Sequence, residues 1–171
     1  EMFIVFAITI CVFKFVVIPV RIDGNSMENT LHDEDIALIN AIGVKEENIQ
    51  RFDVVVIYSD VLDEKIIKRV IGLPGETIEF KNDVLYVNGK EIKQDFLDEQ
   101  FVKESKLNYN ANYFTEDFKV KVGQGEFFVM GDNRNLSQDS RFEYVGNIKR
   151  SDILGRAWLI ISPFSKIGMI K

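Results

Sequence analysis

The stretch TIEFKNDVLYVNGKEI, residues 77–92, decides the fold class because it contains two successive β-hairpins. The first turn is predicted at residues 81–83, where Lys-Asn-Asp separates two strand-like segments. The second turn is predicted at Asn88-Gly89, a dipeptide that strongly favours a type I′ turn. Three short antiparallel strands are therefore expected in this stretch.

Outside these hairpins, most structural signals are also short and typical of strands. β-Branched or apolar runs predict four further strands in VVVIY (54–58), KIIKRVIG (65–72), GEFFVMGD (125–132) and GRAWLIIS (155–162). Helical signals are weaker: EDIALINAIG (34–43) suggests one turn or two, and DEQFVKES (98–105) is a candidate helix. The chain is therefore predicted to be mainly β, with coiled antiparallel sheets or a partly open barrel.

The N-terminal run, residues 2–20, is apolar except for Thr9 and Lys14. A transmembrane helix needs about 17–25 such residues. The alternatives are a buried strand pair or a signal-peptide core, although the latter is usually shorter and ends in small residues. We expect a single-pass transmembrane anchor over residues 1–20. Because the first residue is Glu1 and not Met, we also expect further residues upstream.

Residues 21–171 are predicted to form one β domain. Within it, residues 93–122 change character, being polar, rich in Asn, Lys and acidic residues, with scattered aromatic side chains. A long surface loop is the simplest interpretation, but loops of this length inside compact domains are uncommon unless they are functional. We therefore expect an inserted cap or small subdomain there.

The overall charge excludes some classes of function. The net charge is −6, from 21 basic and 27 acidic residues, which argues against nucleic acid as a partner because phosphate binding needs clustered Lys and Arg. The single cysteine, Cys11, excludes an internal disulfide framework and a cysteine-rich zinc site. No metal or cofactor is expected, because the sequence has no signature for either.

A candidate nucleophile lies in IDGNSMENTL (22–31), where Ser26 follows Gly24 by two positions. Ser and Asn are common in turns, so Ser26 could simply fill one. If Ser26 is a nucleophile, it needs a base. His32 is the only histidine, but it lies among acidic residues in a predicted surface turn, where a solvated role is more common.

Lys68 is the other candidate base, because it lies inside the apolar run IIKRVI. In a strand, Ile66, Lys68 and Val70 share one face, so Lys68 is expected to be at least partly desolvated. Burial can lower a lysine pKa by about 3–5 units, and a neutral lysine can accept a proton from a serine hydroxyl. On the residues alone, a Ser-Lys pair is one hypothesis among several.

Four segments resemble the type I signal peptidases, membrane-bound serine proteases with a Ser-Lys dyad. They occur in the family's order as GNSMENTL (24–31), RFDVVVIY (51–58), IKRVIGLPGE (67–76) and GDNRNLSQDSR (131–141). The last segment is similar to the family pattern G-D-N-R-x-x-S-x-D-S-R at every specified position. With the apolar run, the resemblance spans nearly the whole chain and is greatest to the Gram-positive type, with one anchor and a short insertion.

The resemblance implies a role for each matching residue. Ser26 would attack the scissile carbonyl, Lys68 would act as general base, and the Ser26 backbone N–H would help to hold the oxyanion. Some relatives place a serine hydroxyl where this chain has Gly24, so the second oxyanion donor is left open. Ser137 matches the residue whose hydroxyl orients the lysine. The remaining matches are supports of the site: Asp139 with Arg69 and Arg141 as a charged network, and Asp132 and Arg134 within the loop.

One position departs from the family pattern. The nucleophile segment usually reads S-M-x-P-T-L, and this chain has Asn29 in place of the proline. Asparagine allows the unfolded chain more freedom, although a similar turn can still form. The departure puts substrate range in doubt more than chemistry.

The resemblance also implies substrates and a location. The substrates would be signal peptides of exported or surface proteins, cut after small residues at the first and third positions before the scissile bond. Ile22, Met27 and the strand Val54–Ile57 are candidate pocket walls. The catalytic domain would lie on the extracellular side of the cell membrane. Four aromatic residues are either an apolar face that touches lipid or ordinary core residues: Phe127, Phe128, Trp158 and Phe164.

Two other functions are compatible with parts of the sequence. A non-catalytic, membrane-tethered chaperone for surface-protein or pilus assembly could retain the protease fold, but loss of Ser or Lys would then be expected. A cytoplasmic self-cleaving regulator could use the same dyad. Such relatives carry a DNA-binding helical module before the nucleophile, where this chain has its apolar run.

Overall fold

The computed structural model describes residues 17–41 and 45–170, which form two antiparallel sheets and one α-helix. The larger sheet has the strand order β1-β2-β11-β3-β4-β9-β10, with β12 paired to β11. Its strands are β1 Val17–Arg21, β2 Ile36–Asn40, β3 Val54–Ser59, β4 Glu64–Gly72, β9 Glu126–Met130, β10 Ile148–Lys149, β11 Ile153–Ser162 and β12 Gly168–Met169. Within the described residues this sheet stays open, with β1 and β10 at its edges.

The smaller sheet has the order β7-β6-β5-β8. Its strands are β5 Thr77–Lys81, β6 Val84–Val87, β7 Lys90–Ile92 and β8 Phe118–Lys121. Helix α1, Glu99–Asn108, precedes β8. The prediction of a mainly β chain with antiparallel sheets is therefore confirmed.

Both predicted hairpins are present in the smaller sheet. β5 pairs with β6 and β6 with β7, all antiparallel. The second turn has positive φ at Asn88 (51°) and Gly89 (80°), as a type I′ turn requires. The first turn has the same pattern at Asn82 (51°) and Asp83 (67°).

Residues 34–43, predicted as one or two helical turns, instead contain strand β2, so this prediction is wrong. Ala37 and Ile39 are buried while their neighbours are only half-buried, which is the alternation of a strand. β2 lies between β1 and β11, where both of its edges are hydrogen-bonded. The weak helix prediction over residues 98–105 is confirmed by α1, whose N-cap Asp98 accepts a hydrogen bond from the Phe101 N–H at 2.9 Å.

The C-terminal end of the predicted anchor also needs correction. Residues 17–20 belong to β1, which pairs with β2 from Val17↔Asn40 to Arg21↔Ile36. A helix over residues 1–20 therefore cannot extend to its predicted end, and residues 1–16 lie outside the described residues. Among the residues described, none of the helices combines the length and apolar character needed to span a bilayer.

Residues 93–122 contain α1 and β8. β8 pairs with β5 and so adds the edge strand of the smaller sheet. The division of the chain into an anchor, a main domain and an inserted cap stays a prediction.

The four aromatic residues with two interpretations, a lipid-facing surface or the core, separate into two groups. Phe127 and Phe128 are buried, each in a different apolar cluster of the core, because consecutive residues of β9 face opposite sides of the sheet. The core interpretation is therefore right for these two. Trp158 is half-buried, and the Phe164 side chain is 90% exposed.

Candidate active site

Ser26 and Lys68 lie next to each other, although 42 positions separate them in the sequence. The Lys68 Nζ donates a hydrogen bond to the Ser26 Oγ at 2.8 Å. Lys68 is a residue of β4, flanked by β3 and β9, and only 4% of it is exposed. Ser26 is half-buried in the turns that follow β1. The sheet therefore fixes the amine, and a loop presents the hydroxyl to it.

Backbone contacts hold the segment that carries Ser26. The Ser26 carbonyl accepts a hydrogen bond from the Asn133 N–H at 3.0 Å, which ties it to the loop after β9. The next residue, Met27, is buried and its carbonyl accepts from the Leu31 N–H at 2.9 Å. These contacts fix the Ser26 carbonyl and the residue that follows it.

Gly24 shapes the turn that enters this segment. Its φ is +83°, a conformation that costs little only for glycine. Its N–H donates to the Asp33 carboxylate at 2.8 Å. Gly24 occupies the position that the resemblance associates with the oxyanion, and its N–H already has this partner. By contrast, the Ser26 N–H has no hydrogen-bond acceptor within the described part of the chain, which leaves it available to a ligand.

Burial lowers the pKa of Lys68 from its usual value of 10.5 to about 8. The negative charges of Asp139 and Glu64 oppose this shift, and the positive charge of Arg141 adds to it. With a pKa of about 8, about one lysine in ten is neutral at pH 7, whereas at the usual value the neutral fraction is below about one in a thousand. The expectation that Lys68 is desolvated is confirmed by its burial.

Arg69 faces the opposite side of β4 and is fully buried. Its Nε and one terminal nitrogen donate to the Asp132 carboxylate at 2.8 and 2.6 Å, a bidentate pair. Its guanidinium also donates to the Thr30 hydroxyl at 3.0 Å, and Thr30 donates to Asp132 at 2.5 Å. Arg69 thus pairs with Asp132. The resemblance implied Asp139 as its partner, and the structure corrects this.

Asp139 instead pairs with Arg141 inside the loop that follows β9. The Arg141 Nε donates to the Asp139 carboxylate at 2.8 Å, and the same carboxylate accepts from the Gly131 N–H at 2.9 Å. Arg141 also donates to the carbonyls of Arg134 and Ser137, at 2.8 and 3.2 Å. The expected charged network is therefore two separate pairs, one behind β4 and one within the loop.

Arg134 connects this loop to residues 93–122. It donates to the Gly131 carbonyl at 2.9 Å, the Thr115 hydroxyl at 3.0 Å and the Gln94 side-chain oxygen at 2.5 Å. Burial lowers the pKa of Arg134 to about 10, so the guanidinium is still charged at neutral pH. These contacts are consistent with its expected place as a loop support.

The Ser137 hydroxyl lies buried beside the nucleophile segment. A Cβ added to Gly131 would overlap both the Ser137 Oγ and the Ser26 carbonyl oxygen, so these three residues are closely packed. Within the described residues the Ser137 Oγ has no hydrogen-bond partner. The structure thus places Ser137 near Ser26, but the expected hydrogen bond from Ser137 to the Lys68 amine is absent.

The pair opens into a cleft of about 450 Å³. Ile22 and Met27, both expected to bind substrate, line it, and so does Val56 of the strand expected to form pocket walls. The cleft lining also includes apolar residues such as Val20, Ile67 and Leu136. Its charged and polar residues come from β1 and the turn after it, from β4 and from the loop after β9: Arg21, Asp23, Glu64, Lys65 and Gln138.

His32 is not among the residues that line this cleft. Its Nδ1 lies 3.7 Å from the Asp35 carboxylate. The structure therefore brings Ser26 to Lys68 and leaves the only histidine elsewhere.

Sequence reasoning missed several residues that hold the site. The Arg134 partners Gln94 and Thr115, and the aromatic residue Phe96, all lie in residues 93–122, which carry no family signature. The only available signal was the length and aromatic content of this segment.

A fold with a serine held against a buried lysine defines a candidate serine hydrolase. A family model described as signal peptidase, peptidase S26, matches residues 1–162, and the chain therefore belongs to this family of serine peptidases. This agrees with the resemblance carried by the four sequence segments.

Individual relatives agree with the family match. The chain is 38% identical to signal peptidase IB of Staphylococcus aureus, over 95% of this chain and 87% of that protein. It is 39% identical to signal peptidase I of Bacillus amyloliquefaciens, over 96% of this chain and 84% of that protein. The fold is similar to a crystal structure of a signal peptidase I from Enterococcus faecalis V583, with a TM-score of 0.54 and 35% identity, over 64% of this chain and 96% of that one.

Proposed function

We propose that this chain is a membrane-anchored serine endopeptidase that removes signal peptides from exported preproteins, with Ser26 as nucleophile and Lys68 as general base. The observation that carries the proposal is the 2.8 Å hydrogen bond between the two side chains, with the lysine buried in the sheet. Membership of the signal peptidase family supports the same reaction.

The reaction begins with a neutral Lys68. As the Ser26 Oγ attacks the scissile carbonyl carbon, the Lys68 Nζ takes the hydroxyl proton and becomes an ammonium. The carbonyl electrons move onto the oxygen, which the Ser26 N–H can stabilise. When the peptide C–N bond breaks, the ammonium donates its proton to the leaving amine. Water then attacks the acyl-enzyme ester, again with Lys68 as base, and both amine and serine are regenerated.

The surrounding residues keep this pair in place. Ser137 is proposed to orient the lysine by rotation of its buried hydroxyl, and Asp139 with Arg141 holds the loop that carries Ser137. Arg69 with Asp132 braces the reverse side of β4, and Arg134 holds the same loop from residues 93–122. A base that is held in place is more effective than a mobile one.

The substrate would bind as an extended peptide along the cleft, with its alternate side chains entering shallow pockets. Ile22 and Met27 lie in the cleft walls near Ser26, where they favour small apolar side chains. Peptides with small residues at the first and third positions before the cut are the expected substrates. Gly24 shapes the turn that presents Ser26.

Membrane anchoring is part of the proposal. The apolar residues that precede β1 would place the cleft at the outer surface of the cell membrane, where the apolar part of a signal peptide also lies. The 90% exposed Phe164 side chain is proposed to touch lipid there.

Incubation of the detergent-solubilised protein with a preprotein, followed by mass spectrometry of the products, tests the proposal. We expect a single cut after the signal peptide. Ser26→Ala and Lys68→Met should each lower the rate at least about 10³-fold, because neither a nucleophile nor its base can be replaced by water. The matched controls are Ser165→Ala and Lys90→Met, both at exposed positions, which should keep the wild-type rate.

Substantial turnover by either active-site variant would contradict the assignment. A wild-type protein that binds the preprotein and releases it uncut would instead favour the non-catalytic chaperone.

A further inference from the structure

The Asn29 side chain forms hydrogen bonds with a distant segment of the chain, in addition to its place in a turn. Asn29 lies three residues after Ser26, and its side chain is directed to residues 96–98 of the inserted segment. The Asn29 Nδ2 donates to the Phe96 carbonyl at 2.8 Å, and its Oδ1 accepts from the Asp98 N–H at 2.9 Å. Both ends of one amide therefore bind the backbone of one short stretch.

The backbone conformation of Asn29 excludes proline, the residue that the family pattern has at this position. Its φ is +96°, whereas proline is locked near about −65°. Asparagine tolerates positive φ better than most residues. The nucleophile segment of this chain therefore has a local conformation that proline cannot adopt, and Asn29 is not a passive replacement.

The stretch that Asn29 binds is itself firmly held. Asp98 is the N-cap of α1, which fixes the backbone at that end. At the other end, the Phe96 ring lies 3.9 Å from the Arg69 guanidinium carbon and 5.0 Å from the Phe52 ring centroid. A cation–π contact of this kind is favourable when it is desolvated.

These contacts connect the two halves of the catalytic pair. Arg69 is the neighbour of Lys68 on β4, and Thr30 is the neighbour of Asn29 in the nucleophile segment. Both Arg69 and Thr30 donate to Asp132. The chain of contacts thus runs from the nucleophile segment through Asn29 and Phe96 to Arg69, and returns through Asp132 and Thr30.

We propose that Asn29 is a positioning residue, whose side-chain amide ties the nucleophile segment to residues 96–98 and so sets the distance between the Ser26 Oγ and the Lys68 Nζ. The proposal rests on the proposed function, since it assigns the inserted segment a part in that same site. Displacement of a reacting group by about 1 Å can cost about 10²-fold in rate, so a clamp three residues away has a measurable effect.

The test is Asn29→Gly, which keeps access to positive φ and removes both hydrogen bonds. We expect kcat on a preprotein to fall about tenfold and KM to stay within about twofold, because Asn29 places Ser26 and does not bind substrate. The pH midpoint of kcat/KM should not move, because Lys68 keeps its burial. Rates are expressed per folded molecule, with the folded fraction measured by circular dichroism.

A second readout is independent of catalysis. The Asp98 amide hydrogen is shielded by the Asn29 Oδ1, so its exchange with solvent should be at least about tenfold faster in Asn29→Gly. Asn29→Asp keeps this acceptor but loses the donor to the Phe96 carbonyl. The Asp98 amide should therefore exchange as slowly as in the wild type, while kcat should still fall. Asn110→Gly is the matched control, since Asn110 has a φ of +48° in the same inserted segment, and it should change neither measurement.

An unchanged kcat, or an unchanged Asp98 exchange rate, in Asn29→Gly would overturn the proposal. So would a rise in KM at constant kcat, or a rate loss explained by the unfolded fraction alone. A wild-type protein that cuts no preprotein would overturn the proposed function itself, a result obtained before any Asn29 variant is compared.

Discussion

At the residue scale, the burial of Lys68 favours catalysis and disfavours stability. Its burial keeps a fraction of the amine neutral at pH 7, as a general base requires, but a buried ammonium is costly for the folded state. The hydrogen bond to Ser26 and the nearby charge of Asp139 offset part of this cost. A buried lysine kept for its function is therefore expected to lower the free energy of unfolding of the protein.

Replacement of Lys68 by methionine should therefore stabilise the fold at pH 7. The pKa is about 8 in the folded protein and 10.5 when unperturbed, so below pH 8 the folded state bears the full cost of the buried charge, on the order of 3 kcal/mol. Lys68→Met should raise the free energy of unfolding by up to about this amount, measured by urea denaturation. The exposed control Lys90→Met should change it by less than about 0.5 kcal/mol.

The pH dependence of this effect has a defined sign. Between pH 8 and 10.5 the unfolded chain binds more protons at Lys68 than the folded chain, so wild-type stability gains from this group as the pH rises through that window. Lys68→Met should lose that gain. A variant that is less stable than wild type at pH 7, with an unchanged pH profile, would show that Lys68 is not a buried cation.

Single residues also show what the sequence could and could not predict. On the residues alone, Ser26 and Lys68 are candidates, because one lies in a glycine-containing turn and the other inside an apolar strand, and the family resemblance is what assigns them to one site. The choice between Asp132 and Asp139 as the partner of Arg69 was not predictable, because both acids lie in one loop, and only the three-dimensional path of that loop decides which reaches β4. The Asn29 contacts were equally hidden, since their partners are backbone groups.

At the scale of elements, a strand or turn was predictable from the sequence where its own residues restrict the backbone strongly, and not where they do so weakly. The hairpins over residues 77–92 were predictable because Asn-Gly restricts the turn conformation by itself. The prediction of helical turns at β2 is wrong because a five-residue apolar strand has too few residues to define its period, and hydrogen bonds to β1 and β11 decide its conformation. The predicted end of the anchor failed for the same reason, since residues 17–20 pair with β2.

The second hairpin turn gives a prediction for stability alone. Gly89 has a φ of +80°, and an added Cβ would meet nothing within 4 Å, so Gly89→Ala introduces only backbone strain. We expect a loss of about 1–2 kcal/mol in the free energy of unfolding and no change in kcat. Gly89→Asn, which tolerates positive φ, should lose less. The urea midpoint measures both, and an equal loss in the two variants would contradict strain as the cause.

At the scale of the whole molecule, the larger sheet gathers the site from three distant parts of the chain. Ser26 follows β1, Lys68 lies on β4, and Ser137 lies in the loop after β9. Hydrophobic patterning predicts strands but not their order, so their meeting could be foreseen only through the resemblance carried by the sequence segments. Residues 93–122 add contacts to Arg69 and Arg134, and Phe80 of the smaller sheet adds one to Arg134, and none of these contacts is indicated by a sequence motif.

The central claim of this account is that a buried, partly neutral lysine activates the serine beside it. The most direct test is the pH dependence of kcat/KM on a preprotein from about pH 6 to about pH 10, which reports the base in the free enzyme. We predict a single ascending limb with its midpoint at about 8, the pKa of the buried Lys68. A midpoint at about 6.5, which is typical of a histidine base, or a rate still rising at pH 10, would contradict it.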